Sequence, residues 1–475
     1  MMRILHTSDW HLGQHFFTKN RAQEHRRFID WLVNLVEQNQ INAVVIAGDL
    51  FDTGTPPSYA REIYYDCVAK LNNCGCQLVV LAGNHDSVAM LNESKGVLGY
   101  LNTHVVAAPD ETPDQQIIPL YNKDQTVGAL LCAIPFLRPR DVMSSLADLS
   151  ATEKSQALGQ AITAHYQAIY AAACRQRDQL GKAVPIIATG HLTALGVKTS
   201  DAVRDVYIGT LEAFPSSEFP PADYIALGHI HRPQKVGGTE HIRYCGSPIP
   251  LAFDELKSTK QVVQVTFSES ESIAIEPINV PRFQPMAIVR GNLESLPAQL
   301  KEASRQGSEA LPVWLCIEVS SDQYVSDLQQ RIETMIEGLP LEILQVKRLS
   351  NTTRAGIQQE ENETLAELSP FDVFARRLAL EPELVGTPLE TELTARFEQV
   401  VEAVLEETGI VVTRPTKKPA APAESLVAEL EGDLFPLAEL PSEPPTKPKR
   451  RSNSAKPAAD ESQNQVDLFA GGDNV

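Results

Sequence analysis

The 475-residue chain reads as an α/β protein with a parallel sheet core. Three observations predict this. Five short apolar runs are each followed at once by a turn carrying Asp, Asn or His. Helix-period segments near residues 20–39, 58–73, 89–101 and 152–180 alternate with strand-like runs, the pattern of buried parallel strands joined by crossover helices. A later stretch, from about 284 to 349, alternates strand and helix again as βαβαβ.

Taken in order, "RILHTS" leads into Asp9–His11 and "AVVIA" into Gly48–Asp49. "LVVLA" leads into Gly83–Asp86, "PIIAT" into Gly190–His191, and "DYIAL" into Gly228–His231. Ligands of open α/β sheets bind at the carboxyl ends of strands, so five strands would deliver these side chains to one edge. Asp9 and His11 are spaced i, i+2, as are His229 and His231; on an extended backbone that spacing puts both on one face. The glycines before Asp49, Asn84, His191 and His229 are expected to turn the chain sharply off each strand end.

Seven groups of ligand type are too many for one first-row metal and suit two ions sharing a bridge. Imidazole, carboxylate and amide oxygen without thiolate fit Mn²⁺ or Fe, with Zn²⁺ a further fit, and argue against a structural zinc or an iron–sulfur cluster. Asp49 lies mid-order and a carboxylate can bridge two cations; Asn84 is a neutral oxygen ligand. His85, beside a ligand, is the candidate general acid, with Asp86 next to it to orient the imidazole. The reading is a two-metal phosphoesterase site. His6, His15, His25, His104, His165 and His241 are assigned to packing or surface roles, with His6 and His15 flanking the first motif.

The last strand of the first domain, residues 1–280, includes "QVVQVTF" at Gln261–Phe267. Residues 281–350 form a small α+β unit: "PMAIVRG", a helix ending at Gly307, "PVWLCIEV", a helix stopped at Gly338, and "LEILQVKRL". Residues 351–411 read as helical. Leu365, Leu368, Phe371, Phe374, Ala375 and Leu378 form one apolar stripe, with Ser369–Pro370 as an internal cap. Leu389, Leu393, Phe397, Val400, Val401 and Val404 form a second. From 412 to 475, Pro, Ala, Glu, Ser and Lys dominate, and such a tail cannot bury a core.

Composition narrows the classes. No run approaches the ~18 apolar residues of a membrane span, and the amino terminus lacks a signal-peptide pattern. Seven cysteines, with Cys74 and Cys76 too close for a metal pair, are expected to be reduced in a cytoplasm. A net charge of −20 excludes indiscriminate nucleic-acid binding, so DNA contact needs local cations or metal at the phosphate. Lys19, Arg21, Arg138 and Arg140 are the candidates, besides a basic run at Lys447–Arg451 in the tail. No GxxxxGK[ST] loop is present, so ATP use would lie in a partner.

The ordered set DxH, GD, GNHD, GH and GHxH resembles the calcineurin-like metallophosphoesterases. Wider context, such as "MRILHTSDWHLGQ", "AGDLFDTGTPPSYAR", "SDAVRDVYIGTLEAFP" and "RYCGSPIPLAFDE", is similar to the bacterial SbcD family of Mre-type nuclease subunits over most of residues 2–400. The resemblance implies a four-layer αββα sandwich with a capping domain. It implies Asp9, His11 and His231 at a first Mn²⁺, Asn84, His191 and His229 at a second, Asp49 bridging, and His85 catalytic. Asp52 stands where archaeal and eukaryotic members carry a second histidine, and it is given no role. The family's activities are a 3′→5′ exonuclease on duplex ends and an endonuclease at hairpins or blocked ends. Its partners are an SbcC-type ATPase, docked by its coiled-coil base on the helical stripes, and a second copy, for which Ser58–Asn73 is a candidate face. A small-substrate phosphatase or cyclic-nucleotide phosphodiesterase on the same site would leave the capping unit and the stripes unexplained. A non-catalytic scaffold conflicts with the intact ligand set. Near the end, Gln465-Val466-Asp467-Leu468-Phe469 resembles the pentapeptide by which bacterial proteins bind the sliding clamp, with Gln465, Leu468 and Phe469 as its contacts; "EGDLF" at Glu431–Phe435 is a weaker copy.

Overall fold

In the computed structural model the apolar runs become the central strands of two stacked sheets. The structure describes residues 1–349 apart from 111, 144–149, 201, 204–212, 269–272 and 321–327, together with 374, 378 and 393–397. The chain divides into two units, Met1–Arg354 and Ala355–Val475.

The first sheet centres on Met2–Thr7, Ala43–Ala47, Gln77–Leu81 and Thr103–Val106, all parallel. Gln261–Phe267 adds antiparallel to Met2–Thr7, and Ile273–Asn279 pairs antiparallel beyond it. The second sheet holds Val127–Cys132, Ile186–His191, Tyr224–Gly228 and Ile242–Tyr244 in parallel. Antiparallel strands Ile117–Tyr121 and Gln234–Lys235 close its edges.

The layers follow from which face each side chain takes. Ile4, Val45, Val79 and Leu81 of the first sheet meet Leu120, Leu131, Ile187 and Ala226 of the second in a dry inner core. The alternate residues Leu5, Val44, Ile46, Leu78 and Val80 pack outward on helices Ala22–Asn39 and Ser58–Asn73 through Phe28, Leu32, Ile63 and Cys67. On the other side Ile186, Ala188, Ile225 and Leu227 pack on the long helix Ala151–Leu180 through Ile162, Tyr166 and Ile169. The result is the αββα sandwich. Ser150 caps the long helix reciprocally with Glu153, and Gly181 ends it at φ +62°. The helix expected near 89–101 is two short ones, Val88–Glu93 and Lys95–Gly99.

Strands Met286–Gly291, Val313–Ser320 and Leu341–Leu349 form a parallel three-stranded sheet, with helices Leu296–Ser304 and Leu328–Ile336 on one core. This unit is seated on the sandwich by an aromatic contact. Trp314 stacks on Phe16 at 5.8 Å, and Met286 and Cys316 join Phe253 around it. Lys19 pairs with Glu342 across the same seam, so Lys19 has a structural partner.

In the second unit, Leu393–Phe397 is helical and the rings of Phe374 and Phe397 stack at 4.1 Å, 5° from parallel. Phe374 therefore packs against the second stripe. Phe371, Ser369–Pro370 and the tail with Gln465, Leu468 and Phe469 lie outside the described residues.

Candidate metal centre

The five motifs meet where the two sheets abut. Three come from carboxyl ends of the first sheet and two from the second, so the site is shared between sheets. Two trios of ligand atoms match the expected ligands, Asp9, His11 and His231, and Asp49, His191 and His229, and a third group brings together His11, Asp52 and His85. Asp49 Oδ2 lies 3.6 Å from His11 Nε2 and 3.3 Å from His191 Nε2, which places one carboxylate oxygen between the trios. Asn84 Oδ1 is 2.9 Å from His191 Nε2 and 3.2 Å from His229 Nδ1.

Three of the imidazoles are oriented by a hydrogen bond at Nδ1, which leaves the other nitrogen for a cation. His191 Nδ1 faces the Ala47 carbonyl at 3.0 Å, His11 Nδ1 the Asp52 carboxylate at 3.1 Å, and His231 Nδ1 the Glu255 carboxylate at 3.2 Å. The Nε2 atom of His11 faces Asp49 and is buried without any hydrogen-bond partner. Such an orphaned nitrogen is costly unless something binds it, and a cation among carboxylate, amide and imidazole lone pairs satisfies it; on His229 it is Nδ1 that faces the Asn84 oxygen. The donor set thus fits two divalent ions.

The backbone is held in unusual shapes here. Asp9, His11, Asp49 and His229 have φ of 53°, 46°, 48° and 93°, a strain of about 1–3 kcal/mol each that surrounding structure must hold in place. Gly48, at φ +92°, does turn sharply off its strand, and a Cβ there would lie 2.1 Å from His191 Nδ1. The other motif glycines act differently from the sequence reading. Gly228 has no positive φ; its Cβ would strike the Ala47 carbonyl at 1.8 Å, so it is glycine because the two sheets touch there.

The candidate acid also changes partners. Asp86 is buried and accepts from the backbone N–H of Gly83, Leu50 and Phe51 at 2.9, 3.1 and 2.9 Å. It ties two ligand loops together, and its assignment as the group orienting His85 is replaced. His85 Nδ1 instead meets the Asp52 carbonyl at 2.7 Å, and His85 N–H donates to Asp49 Oδ1 at 2.9 Å. Asp52 therefore positions His11 with its side chain and His85 with its backbone. Of the four cations considered for DNA, Arg21 is buried, paired with Glu24 and donating to Gln14 and the Pro250 carbonyl. Arg138 donates to the Asp86 carbonyl at 3.2 Å, and Arg140 is exposed. His6, buried between the sheets, meets Tyr224 Oη at 2.9 Å; His15 is exposed at the cleft. A cleft of about 470 Å³ opens on the site, lined by His11, Asp52, His85 and His231 and, from the small unit, Gln345 and Lys347. A larger cavity of about 600 Å³ lies far from it, at Arg3, Asn42 and Lys182, and no ligand cluster is found there among the described residues.

Burial disfavours charge on His191, yet the Asp49 carboxylate beside it pushes it up to about 9. Burial alone would raise Asp49, but His191, then His11 and His85, hold it well below the carboxylate range. Without ions, His191 therefore carries a proton at pH 7.5, and an ion must displace it. Metal binding at pH 7.5 is expected to release a proton, and affinity to rise with pH up to about 9. Calorimetry in buffers of different ionisation enthalpy reads this directly; a heat independent of buffer would refute it.

Fold and site together define a metallophosphoesterase. Residues 2–233 match the calcineurin-like phosphoesterase family, and residues 282–381 match the SbcD C-terminal domain, described as the type 5 capsule protein repressor C-terminal domain. The chain is 55% identical over 380 residues to the SbcD chain of nuclease SbcCD from Escherichia coli K12, covering 80% of this chain and 93% of that one. It is 31% identical to the SbcD of Rhodobacter capsulatus (72% and 86% covered) and 32% to that of Bacillus subtilis (60% and 71%). The chain belongs to the SbcD family.

Proposed function

We propose that this chain is the nuclease subunit of an SbcCD-type complex, hydrolysing DNA phosphodiesters with two Mn²⁺ ions. It acts as a 3′→5′ exonuclease on duplex ends and an endonuclease at hairpins, in DNA repair, recombination and replication. It works in the cytoplasm at the nucleoid, as a homodimer with a coiled-coil ATPase. The observation that carries this reading is the convergence of seven candidate ligands around the unpartnered buried Nε2 of His11, in a chain 55% identical to a named nuclease subunit.

Asp9, His11 and His231 would hold one ion and Asn84, His191 and His229 the other, with Asp49 shared. Bound ions supply an activated water and offset charge on the phosphorus oxygens. His85 gives the proton to the leaving oxygen. Its Nδ1–H is committed to the Asp52 carbonyl, so Nε2 is the nitrogen that donates. Lys347 offers a cation for DNA phosphates at the cleft, and the exposed Arg140 offers another. Incubation with Mn²⁺, with and without the ATPase, on a labelled DNA hairpin and on a chromogenic phosphate ester tests the reading. Cleavage of the ester alone would favour a small-substrate phosphatase.

The helical stripes are the ATPase dock. Charged substitutions at Phe371, Phe374 or Leu378 are expected to detach the ATPase and leave Mn²⁺-dependent cleavage of simple substrates intact. Co-purification with unchanged stoichiometry would make these residues internal core, the role the Phe374–Phe397 stack already gives one of them in part. The terminal QVDLF recruits the nuclease to a sliding clamp through Gln465, Leu468 and Phe469. A peptide spanning Asp460–Gly471 is expected to bind purified clamp with micromolar affinity, roughly −8 kcal/mol. A Leu468→Ala/Phe469→Ala peptide should not bind, and equal binding of the two would sink the idea.

A further inference from the structure

The carboxylate that faces His231 belongs to a buried charge pair whose other member, Lys260, has no part in the mechanism above. Glu255 sits on the single-turn helix Phe253–Lys257 and is fully buried. Oε1 lies 3.2 Å from His231 Nδ1 and accepts from Ser200 Oγ at 2.8 Å. Oε2 accepts from Lys260 Nζ at 2.6 Å, Leu251 N–H at 2.9 Å and Ser247 Oγ at 3.4 Å. Lys260 Nζ, also buried, donates in turn to the His231 carbonyl at 2.9 Å and to Ser247 Oγ at 2.7 Å. His231 is thus gripped at its ring by the acid and at its backbone by the base.

Burying two charges is expensive, and replacing such a pair with apolar side chains is often neutral or stabilising. A pair retained here and aimed at a ligand has a positional use. A carboxylate on Nδ1 fixes the imidazole's tautomer and rotation and makes the far nitrogen a better donor. The helix carrying Glu255 is itself anchored on its other side. Phe253 packs with Phe16, Met286 and Trp314, and Leu256 packs against the same cluster.

The geometry points to Glu255, held by Lys260, as a positioning residue for His231 that sets affinity for the ion shared by Asp9, His11 and His231. This rests on the two-metal reading above. Among the histidine ligands, His191 is oriented by a backbone carbonyl instead, so the two ions should respond differently to loss of this carboxylate.

The test uses the full-length chain, stripped with chelator and titrated with Mn²⁺. Ions per chain are counted after dialysis, and electron paramagnetic resonance separates a coupled ion pair from a lone ion. Wild type is expected to bind two ions as a coupled pair. Glu255→Gln is expected to weaken one of them by about 10–100-fold and leave a lone-ion spectrum at limiting Mn²⁺. Cleavage should then return as Mn²⁺ is raised. Melting of the chelated protein is followed in parallel. Glu255→Asp keeps a charge for Lys260 but is one methylene short of spanning Lys260 and His231. It should lower affinity for the same ion by less, and it serves if the Gln variant does not fold. Wild type binding fewer than two ions would overturn the two-metal reading itself. Two ions in wild type with unchanged affinities in both variants would overturn only the role of Glu255. So would loss of both ions together with a lower melting temperature of the chelated protein, which would make Glu255 purely structural.

Discussion

A His85→Gln protein is expected to bind Mn²⁺ and DNA as wild type does and to cleave about 10²–10⁴-fold more slowly, the usual cost of losing a positioned acid. The geometry separates it from the ligands. Its Nδ1 is taken by the Asp52 carbonyl and its backbone N–H by Asp49, and its ring stands edge-on to His11 at 4.8 Å. Glutamine has no group that donates a proton to an alkoxide near neutral pH, but it can keep a hydrogen bond to a carbonyl. Single-turnover cleavage and metal titration on the same preparation check the claim. His85 also forms a ligand-like group with His11 and Asp52. If the variant lost ions as badly as an Asp49 variant, that group would be the metal site and the acid assignment would be wrong.

The candidate site was legible because its residues stand at strand ends, and strand ends show in a sequence as apolar runs meeting polar turns. Which sheet each strand joins does not show. Periodicity is the same for Ala43–Ala47 and Ile186–His191, although one lies in the first sheet and the other in the second. The orienting groups were hidden for a related reason. Nothing in the local sequence marks Lys260 and Glu255 as buried, since such residues are seldom fully buried unless paired; their pairing depends on contacts with Ser200, His231 and Ser247. Arg21 misled in the opposite direction. A basic residue near the first motif suggested DNA, yet the Pro250 carbonyl, 229 positions away, receives its guanidinium. Asp86 stands beside His85 in sequence, whereas its carboxylate faces the turn at Leu50 and Phe51. Local pattern names the candidate ligands here, and long-range contact decides what holds them.

Asp49→Asn is expected to do more damage than any other single change at the site: both ions should be lost at concentrations that saturate wild type, and cleavage with them. Asp49 Oδ2 faces both His11 and His191, while Oδ1 anchors the loop of Asn84 and His85. Asparagine keeps an oxygen and tolerates the left-handed φ of 48° better than alanine would, so the test isolates the charge. Removing it also removes the cause of the raised His191 pKa. The imidazole should then be neutral at pH 7.5, and whatever metal still binds should do so with little proton release. The loss of affinity should exceed the roughly 10–100-fold cost of removing an outer-shell partner, because here the missing charge is shared by two cations. Calorimetry and metal analysis read both effects. Retention of one tightly bound ion with undiminished proton release would show that Asp49 serves a single ion and that the bridge lies elsewhere.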